Sequence, residues 1–241
     1  MPSYMNDFAF PGDVKRGYGG PSHDIVPVDH IALNVPFDEC DSWILFYRAL
    51  FGLEPEGRNC ATDPYGLVHT IALRNRTGTL RVALLASDRG RTEVNTALTQ
   101  YRGAGLNHLA LSCRDLLETL ETLHERGINM LPVPANYYDD LRARYGDDLP
   151  IERMKRLGVL YDTAPGGGEL FHAYTRPFLD RFYLKLVQRL SGYEGYGAPN
   201  EPVRLAALCR PAGANPAPSA PTVSRIEGRQ MYPAPPQLSR R

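Results

Sequence analysis

The sequence predicts an α+β fold in which two tandem βαβββ modules form an eight-stranded, partly closed barrel with helices outside. Three observations carry that expectation. The octapeptide Val28-Asp29-His30-Ile31-Ala32-Leu33-Asn34-Val35 returns, altered, as Leu106-Asn107-His108-Leu109-Ala110-Leu111-Ser112-Cys113. Each copy precedes an amphipathic helical pattern that ends at a glycine, and strand-length apolar runs follow each helix. One such unit cannot cover the apolar face of its own strands, whereas two packed edge to edge can.

The elements fall in order along the chain. A helix follows the His30 strand over about Asp41–Phe51, where Trp43, Phe46, Tyr47 and Leu50 recur at helical spacing, and Gly52 stops it. Leu67–Arg74 and Leu80–Ala86 alternate as strands do. After the His108 strand a helix spans about Asp115–Arg126, with Leu116, Leu120 and Leu123 apolar and Gly127 behind it. Tyr137–Tyr145 and Pro150–Leu157 also read as helical. Strands fall near Leu157–Asp162, Glu169–Thr175 and Phe182–Gln188, and Gly166-Gly167-Gly168 suits a hairpin turn. The modules occupy about 25–90 and 104–200 of a domain at 25–210. Residues 1–24 read as a flexible lead-in. Residues 211–241, rich in Pro, Ala and Ser, read as a disordered tail, because they offer too little apolar area to offset ordering entropy. Within that tail Ile226-Glu227-Gly228-Arg229 matches a tetrapeptide used in cleavable fusions and is set aside from fold reasoning.

Charge excludes some functions. Lys and Arg total 27 against 27 Asp and Glu, so neither nucleic acid nor a membrane surface is an expected partner. No apolar run reaches the roughly 18 residues of a membrane span, and the N-terminus lacks the apolar centre of a secretory signal. Cys40, Cys60, Cys113 and Cys209 are scattered and read as reduced thiols, which fits a cytoplasmic protein.

The histidines are the chemical signal. Alternation puts His30 on one strand face with Val28, Ala32 and Asn34, and His108 with Leu106, Ala110 and Ser112. Asp29 and Asn107 then fall on the opposite face. Two imidazoles at equivalent positions of a duplicated unit, both facing inward, point to a metal ion. A catalytic iron site of the facial-triad kind would add one carboxylate. The last core strand, Phe182–Arg189, contains no acid; Glu169 opens the preceding strand beside the glycine turn, and His172 is the better internal candidate.

The segments VDHIALNV, WILFYRALFGLEP, GLNHLALSC, PANYYDDLRARYG and GGGELFHAYTRPFLDRFYLKLVQRLSGYEGYGAPN together resemble the vicinal oxygen chelate superfamily. Within it they are similar to the catalytic half of 4-hydroxyphenylpyruvate dioxygenases. They are most similar to the dioxygenase-like C-terminal domain of bacterial 3-dehydroshikimate dehydratases, over about residues 25–209. The resemblance implies Fe(II) or another divalent metal on His30 and His108, with a glutamate of the last strand as third ligand. Aligning Val187-Gln188-Arg189 with the family pattern puts Lys185 at that glutamate, where a protonated amine has no lone pair to donate. A second departure is Glu201, at a phenylalanine of the helix that gates the dioxygenase pocket. The resemblance further implies substrate contacts from His172, Asn34, Ser112 and Asn200.

Two functions are compatible with these residues. One is a metal-dependent, dioxygenase-like enzyme with a degenerate two-histidine site, acting on a small α-keto or hydroxy acid. The other is a non-catalytic module, a former metalloenzyme that binds an acidic metabolite, forms a homodimer or associates with a dehydratase barrel domain.

Overall fold

The computed structural model describes residues 25–178 and 181–208. The expected lead-in, the Pro-rich tail with its tetrapeptide, and Cys209 lie outside the described residues. Eight strands form one sheet that curls into a half-barrel, in the order β2-β3-β4-β1-β5-β8-β7-β6. Module one supplies β1 (Ile25–Asn34), α1 (Cys40–Phe51), β2 (Glu54–Asp63), β3 (Gly66–Arg74) and β4 (Arg81–Ala86). A linking helix, α2 (Glu93–Tyr101), leads to module two. That module supplies β5 (Gly105–Cys113), α3 (Leu116–Glu125), α4 (Ala135–Tyr145), α5 (Ile151–Leu157), β6 (Leu160–Thr163), β7 (Glu169–Tyr174), β8 (Tyr183–Leu190) and α6 (Glu201–Leu208).

The duplication is visible in the pairing. In each module the first strand runs parallel to the last, β1 with β4 and β5 with β8, and the two first strands meet antiparallel at the centre. The repeated histidine strands are therefore neighbours.

Alternation sorts each strand between two cores. On the outer face Leu73, Val82 and Leu84 pack with Ile44 of α1, while Phe171, Ala173 and Leu186 pack with Leu116, Leu141 and Met154 of α3–α5. On the inner face Ala32, Ala83 and Leu85 meet Val94 of α2, and Tyr174 and Tyr183 meet Ala207 of α6. Two short helices thus cover the concave side.

Local chemistry fixes the ends. Gly52 takes φ 62° at the end of α1, Thr92 caps α2 through the Asn95 N–H, and Asp115 caps α3 through the Glu118 N–H. The Gly-rich turn between β6 and β7 is closed by Gly168 and Ala164, with Gly167 at φ 85°.

The structure corrects the sequence reading in three places. The helix α1 buries Ile44, whereas Phe46 and Leu50 of the expected stripe are 45% and 65% exposed. Strand β2 was not among the expected runs, because EPEGRNCATD is exposed along most of its length and is held by pairing with β3. Helix α2 was missed as well; of its residues Val94 and Ala97 are buried, too few for a visible stripe. No described helix is long and apolar enough to cross a membrane.

Candidate functional site

The paired strands β1 and β5 bring His30 and His108 together, with their Nε2 atoms 3.1 Å apart and both side chains buried. Each imidazole is oriented by the residue before it. His30 Nδ1 lies 2.6 Å from Asp29 Oδ1, and His108 Nδ1 lies 2.7 Å from Asn107 Oδ1. The expectation that Asp29 and Asn107 face away is therefore wrong. Its cause is a matched pair of β-bulges. Val28 pairs with Leu111 and His30 with Ala110, so Asp29 has no partner; Ala32 pairs with His108 and Leu33 with Leu106, so Asn107 has none. A bulged residue leaves the alternation and its side chain is re-aimed.

Both orienting groups are themselves held. Arg189 of β8 grips Asp29 with two parallel hydrogen bonds, 2.7 Å to Oδ2 and 2.9 Å to Oδ1. Asn107 Oδ1 also accepts from the Tyr183 hydroxyl at 2.8 Å, and its Nδ2 donates to Asn34 Oδ1 at 3.0 Å. Burial opposes ionisation of Asp29, but the hydrogen bonds from Arg189 and His30 outweigh it and hold the carboxyl well below the usual range. Burial pushes His30 down to about 4 against the opposing pull of Asp29, and the Lys185 ammonium pushes the same way as burial. Burial, then His30 and Lys185, lower His108 as well. Both imidazoles are neutral at pH 7.

Strands β7 and β8 complete the inner wall. Lys185 faces Tyr174 across that strand pair and is 2% exposed. Its Nζ donates to the Tyr196 carbonyl at 2.8 Å and lies 5.3 Å from the centre of the Tyr174 ring. Burial pulls the amine down to about 8, with Glu201 opposing. His172 is fully buried; its Nε2 lies 3.0 Å from Asn200 Nδ2, which also donates to the Tyr161 carbonyl, while Nδ1 has no partner among the described residues. The segment 191–197 crosses to module one, where Glu194 pairs with Arg74 and Arg81 and the Tyr196 hydroxyl donates to Glu56. Gly197 is required there: a Cβ would stand 2.8 Å from His172 Nε2. Arg204 of α6, 1% exposed, stacks 4.9 Å over Tyr183 and joins Glu93 of α2 to Glu201.

The structure thus gathers His30, His108, Asn34, His172, Asn200 and Lys185 on the inner side of the sheet. Ser112 stays apart. It lies four residues beyond His108, about 13 Å along the strand, half-buried and paired with Val187. Glu169 sits at the far end of β7 and accepts from the Tyr161 hydroxyl. Sequence reasoning missed Asp29, Asn107, Tyr183, Arg189 and Arg204; the Asp/Asn-His dipeptide in both repeats was the available signal for the first two. An open groove of about 380 Å³ lined by Pro134, Tyr137, Asp140 and Val203 includes none of these residues.

The fit to a metal ion is incomplete. Two Nε2 lone pairs 3.1 Å apart, each with its Nδ1 on an acceptor, match two adjacent ligands of one ion at about 2.0–2.1 Å. No third ligand follows. Among the described residues no group of three or more His, Cys, Asp or Glu could hold a metal. Lys185 on the same inner wall donates to the Tyr196 carbonyl, and Asp29 is committed to His30 and Arg189.

Comparisons with known proteins agree with this architecture. A model of the Glyoxalase/Bleomycin resistance protein/Dioxygenase superfamily matches residues 29–145. A 3-dehydroshikimate dehydratase of Pseudomonas putida is 45% identical over 184 residues, 76% of this chain and 29% of that protein. Among solved structures, a xylose isomerase-like TIM barrel/4-hydroxyphenylpyruvate dioxygenase fusion protein is 40% identical, with a TM-score of 0.65 over 78% of this chain and 30% of that one. A triple variant of 4-hydroxymandelate synthase from Streptomyces coelicolor is 25% identical, with a TM-score of 0.71 over 79% of this chain and 55% of that one. The chain spans less than a third of the dehydratase and about half of the synthase. On the repeated histidine strands, the curled eight-stranded sheet and these likenesses together, the chain belongs to the Glyoxalase/Bleomycin resistance protein/Dioxygenase superfamily.

Proposed function

We propose that this chain is a metal-independent binding module for a small keto acid, working beside a dehydratase barrel domain. The observation that carries the reading is the buried Lys185 beside two neutral imidazoles, where a metalloenzyme would need a carboxylate. The names of the similar proteins support the ligand class: 4-hydroxyphenylpyruvate and 3-dehydroshikimate are both small acids that carry a ketone. Lys185 would attract a carboxylate, and the Nε2 lone pairs of His30 and His108 would accept from a ligand hydroxyl. The barrel partner rests on the fused relative alone.

Calorimetric titration with 4-hydroxyphenylpyruvate and 3-dehydroshikimate, with and without EDTA, tests this. Saturable binding that ignores the chelator and weakens at least tenfold in Lys185→Met is expected. Binding that requires Fe(II) or Mn(II) would overturn it.

The facing Nε2 lone pairs favour a second reading, a two-histidine metal site finished by ligand oxygens. In that case the purified chain retains close to one equivalent of metal in the presence of a keto acid. Lys185→Glu would then tighten the binding of Mn(II).

A further inference from the structure

We infer that two copies of this chain pair through the exposed face of α1, antiparallel about a two-fold axis, whatever ligand the half-barrel holds.

The two modules differ in what covers their outer helix. In module two α3 lies under α4 and α5, and its Leu116 and Leu120 share one buried cluster with Tyr138, Leu141 and Met154. Module one passes from α1 straight to β2, with no helix between. Its helix nevertheless carries apolar residues on the side turned away from the sheet. Ile44 packs inward with Val35, Leu73 and Leu84, while Leu45 and Leu50 are each 65% exposed, Phe46 45% and Phe51 52%.

These side chains form one patch. The Phe46 ring lies 6.0 Å from Trp43, 5.3 Å from Tyr47 and 6.2 Å from Phe51. Ser42 and Ala49, small and exposed, fall on the same side of the helix as Phe46 and let a second helix approach closely. Side chains of this size at these exposures present roughly 400–500 Å² of apolar surface, which is large for a patch on a monomer. A homodimer interface of standard size, about 800 Å² per partner and about 65% apolar, needs about 500 Å² of it. The patch comes close to that amount.

Charge selects the occupant. Asp41 lies in the first turn of α1 and Arg48 in the last, and with Leu45 between them they share one edge of the patch. Within one copy both are loosely engaged. Asp41 is 94% exposed, with Arg58 3.8 Å away; Arg48, half exposed, meets Glu54 at 3.1 Å. A two-fold that runs two α1 helices antiparallel keeps this edge on the same side in both copies. It brings Asp41 of each toward Arg48 of the other, and a guanidinium has donors enough for both carboxylates. Parallel packing would leave both pairs unmade. The face is therefore complementary to itself in one arrangement, as a two-fold dimer requires.

Sedimentation velocity on the full chain tests the pairing. A dimer that dissociates on dilution is expected. Leu45→Glu with Leu50→Glu should make the chain monomeric and leave its circular dichroism spectrum unchanged, because both side chains face water in the single copy. Asp41→Arg sets two like-charged pairs across the axis and should raise the Kd of the dimer at least about tenfold. Adding Arg48→Asp reverses both pairs and should recover most of that loss. A chain that stays monomeric at about 0.1 mM, where micromolar pairing is complete, overturns the inference, whether or not the face then binds a dehydratase barrel domain. A dimer that survives the two glutamates uses another surface and overturns it as well. A dimer that the glutamates break but the charge reversal does not restore overturns the antiparallel two-fold.

Discussion

In module one the residue before the histidine is an acid, Asp29; in module two it is an amide, Asn107. The bulge is the same and the hydrogen bond to Nδ1 is the same, but the electrostatics are not. Asp29 brings a buried negative charge that needs the Arg189 fork, and a carboxylate accepts only, so His30 must carry its proton on Nδ1. Asn107 is neutral and rests on Tyr183 and Asn34. An amide can reverse its two ends, so His108 can shift its proton where His30 cannot. The difference extends one strand further. Ala32 pairs with Ala83 in module one, while at the equivalent place Ala110 pairs with Lys185. Duplication supplied a symmetric frame, and charge broke the symmetry at these two positions.

That contrast can be broken by substitution. Arg189→Met should be the most damaging change, because it strands the Asp29 carboxylate in the interior; a loss of about 3–5 kcal/mol in urea unfolding is expected. A loss below about 1 kcal/mol would show that the Asp29 fork behaves as a surface pair and that the modules do not differ as argued.

Lys185→Met should act in the opposite direction. A lysine whose pKa is about 8 when folded and 10.5 otherwise leaves the unfolded chain holding more protons between those values, so its contribution to stability rises with pH there. Below pH 8 the folded chain bears the full cost of burying the ammonium. The variant should therefore be more stable at pH 7, by a gap of order 3 kcal/mol. That gap should close as the pH is raised from about 8 to 10.5. Denaturation curves for both chains at pH 7 and pH 10 measure it, and a constant gap would sink the assignment.

The smallest effect belongs to module two. Tyr183→Phe removes one hydrogen bond from Asn107 and leaves the others, so a cost of about 1 kcal/mol is expected. Proton exchange at the two imidazoles, followed by nuclear magnetic resonance of the ring nitrogens, should change at His108 in this variant and stay fixed at His30.

The sequence carried the frame further than the site. The duplicated octapeptide identified β1 and β5, and the helical patterns placed α1, α3, α4 and α5 within a residue or two. Strand β2 and helix α2 bury too few side chains to leave a periodic trace. Within the site, His30 and His108 were legible from alternation and the repeat, His172 from its apolar neighbours, and Asn200 only through the family resemblance. The turn of Asp29 and Asn107 was not. A bulge belongs to the register between strands 78 residues apart, and nothing local in either strand encodes it. Lys185 was visible as a departure from a pattern, but its single hydrogen bond and its isolation from the arginine network required coordinates.

The buried guanidinium of Arg204 has a consequence for how the chain is made. It belongs to the last described helix, and one of its carboxylate partners, Glu93, lies in the link between the modules. During synthesis both histidine strands emerge long before residue 204. All eight strands precede α6 in the chain. The eight residues of α6, the last described helix, help to cover the interior of the half-barrel. A chain cut before residue 201 would lack Arg204, leave Glu93 without that partner and open the concave side to water.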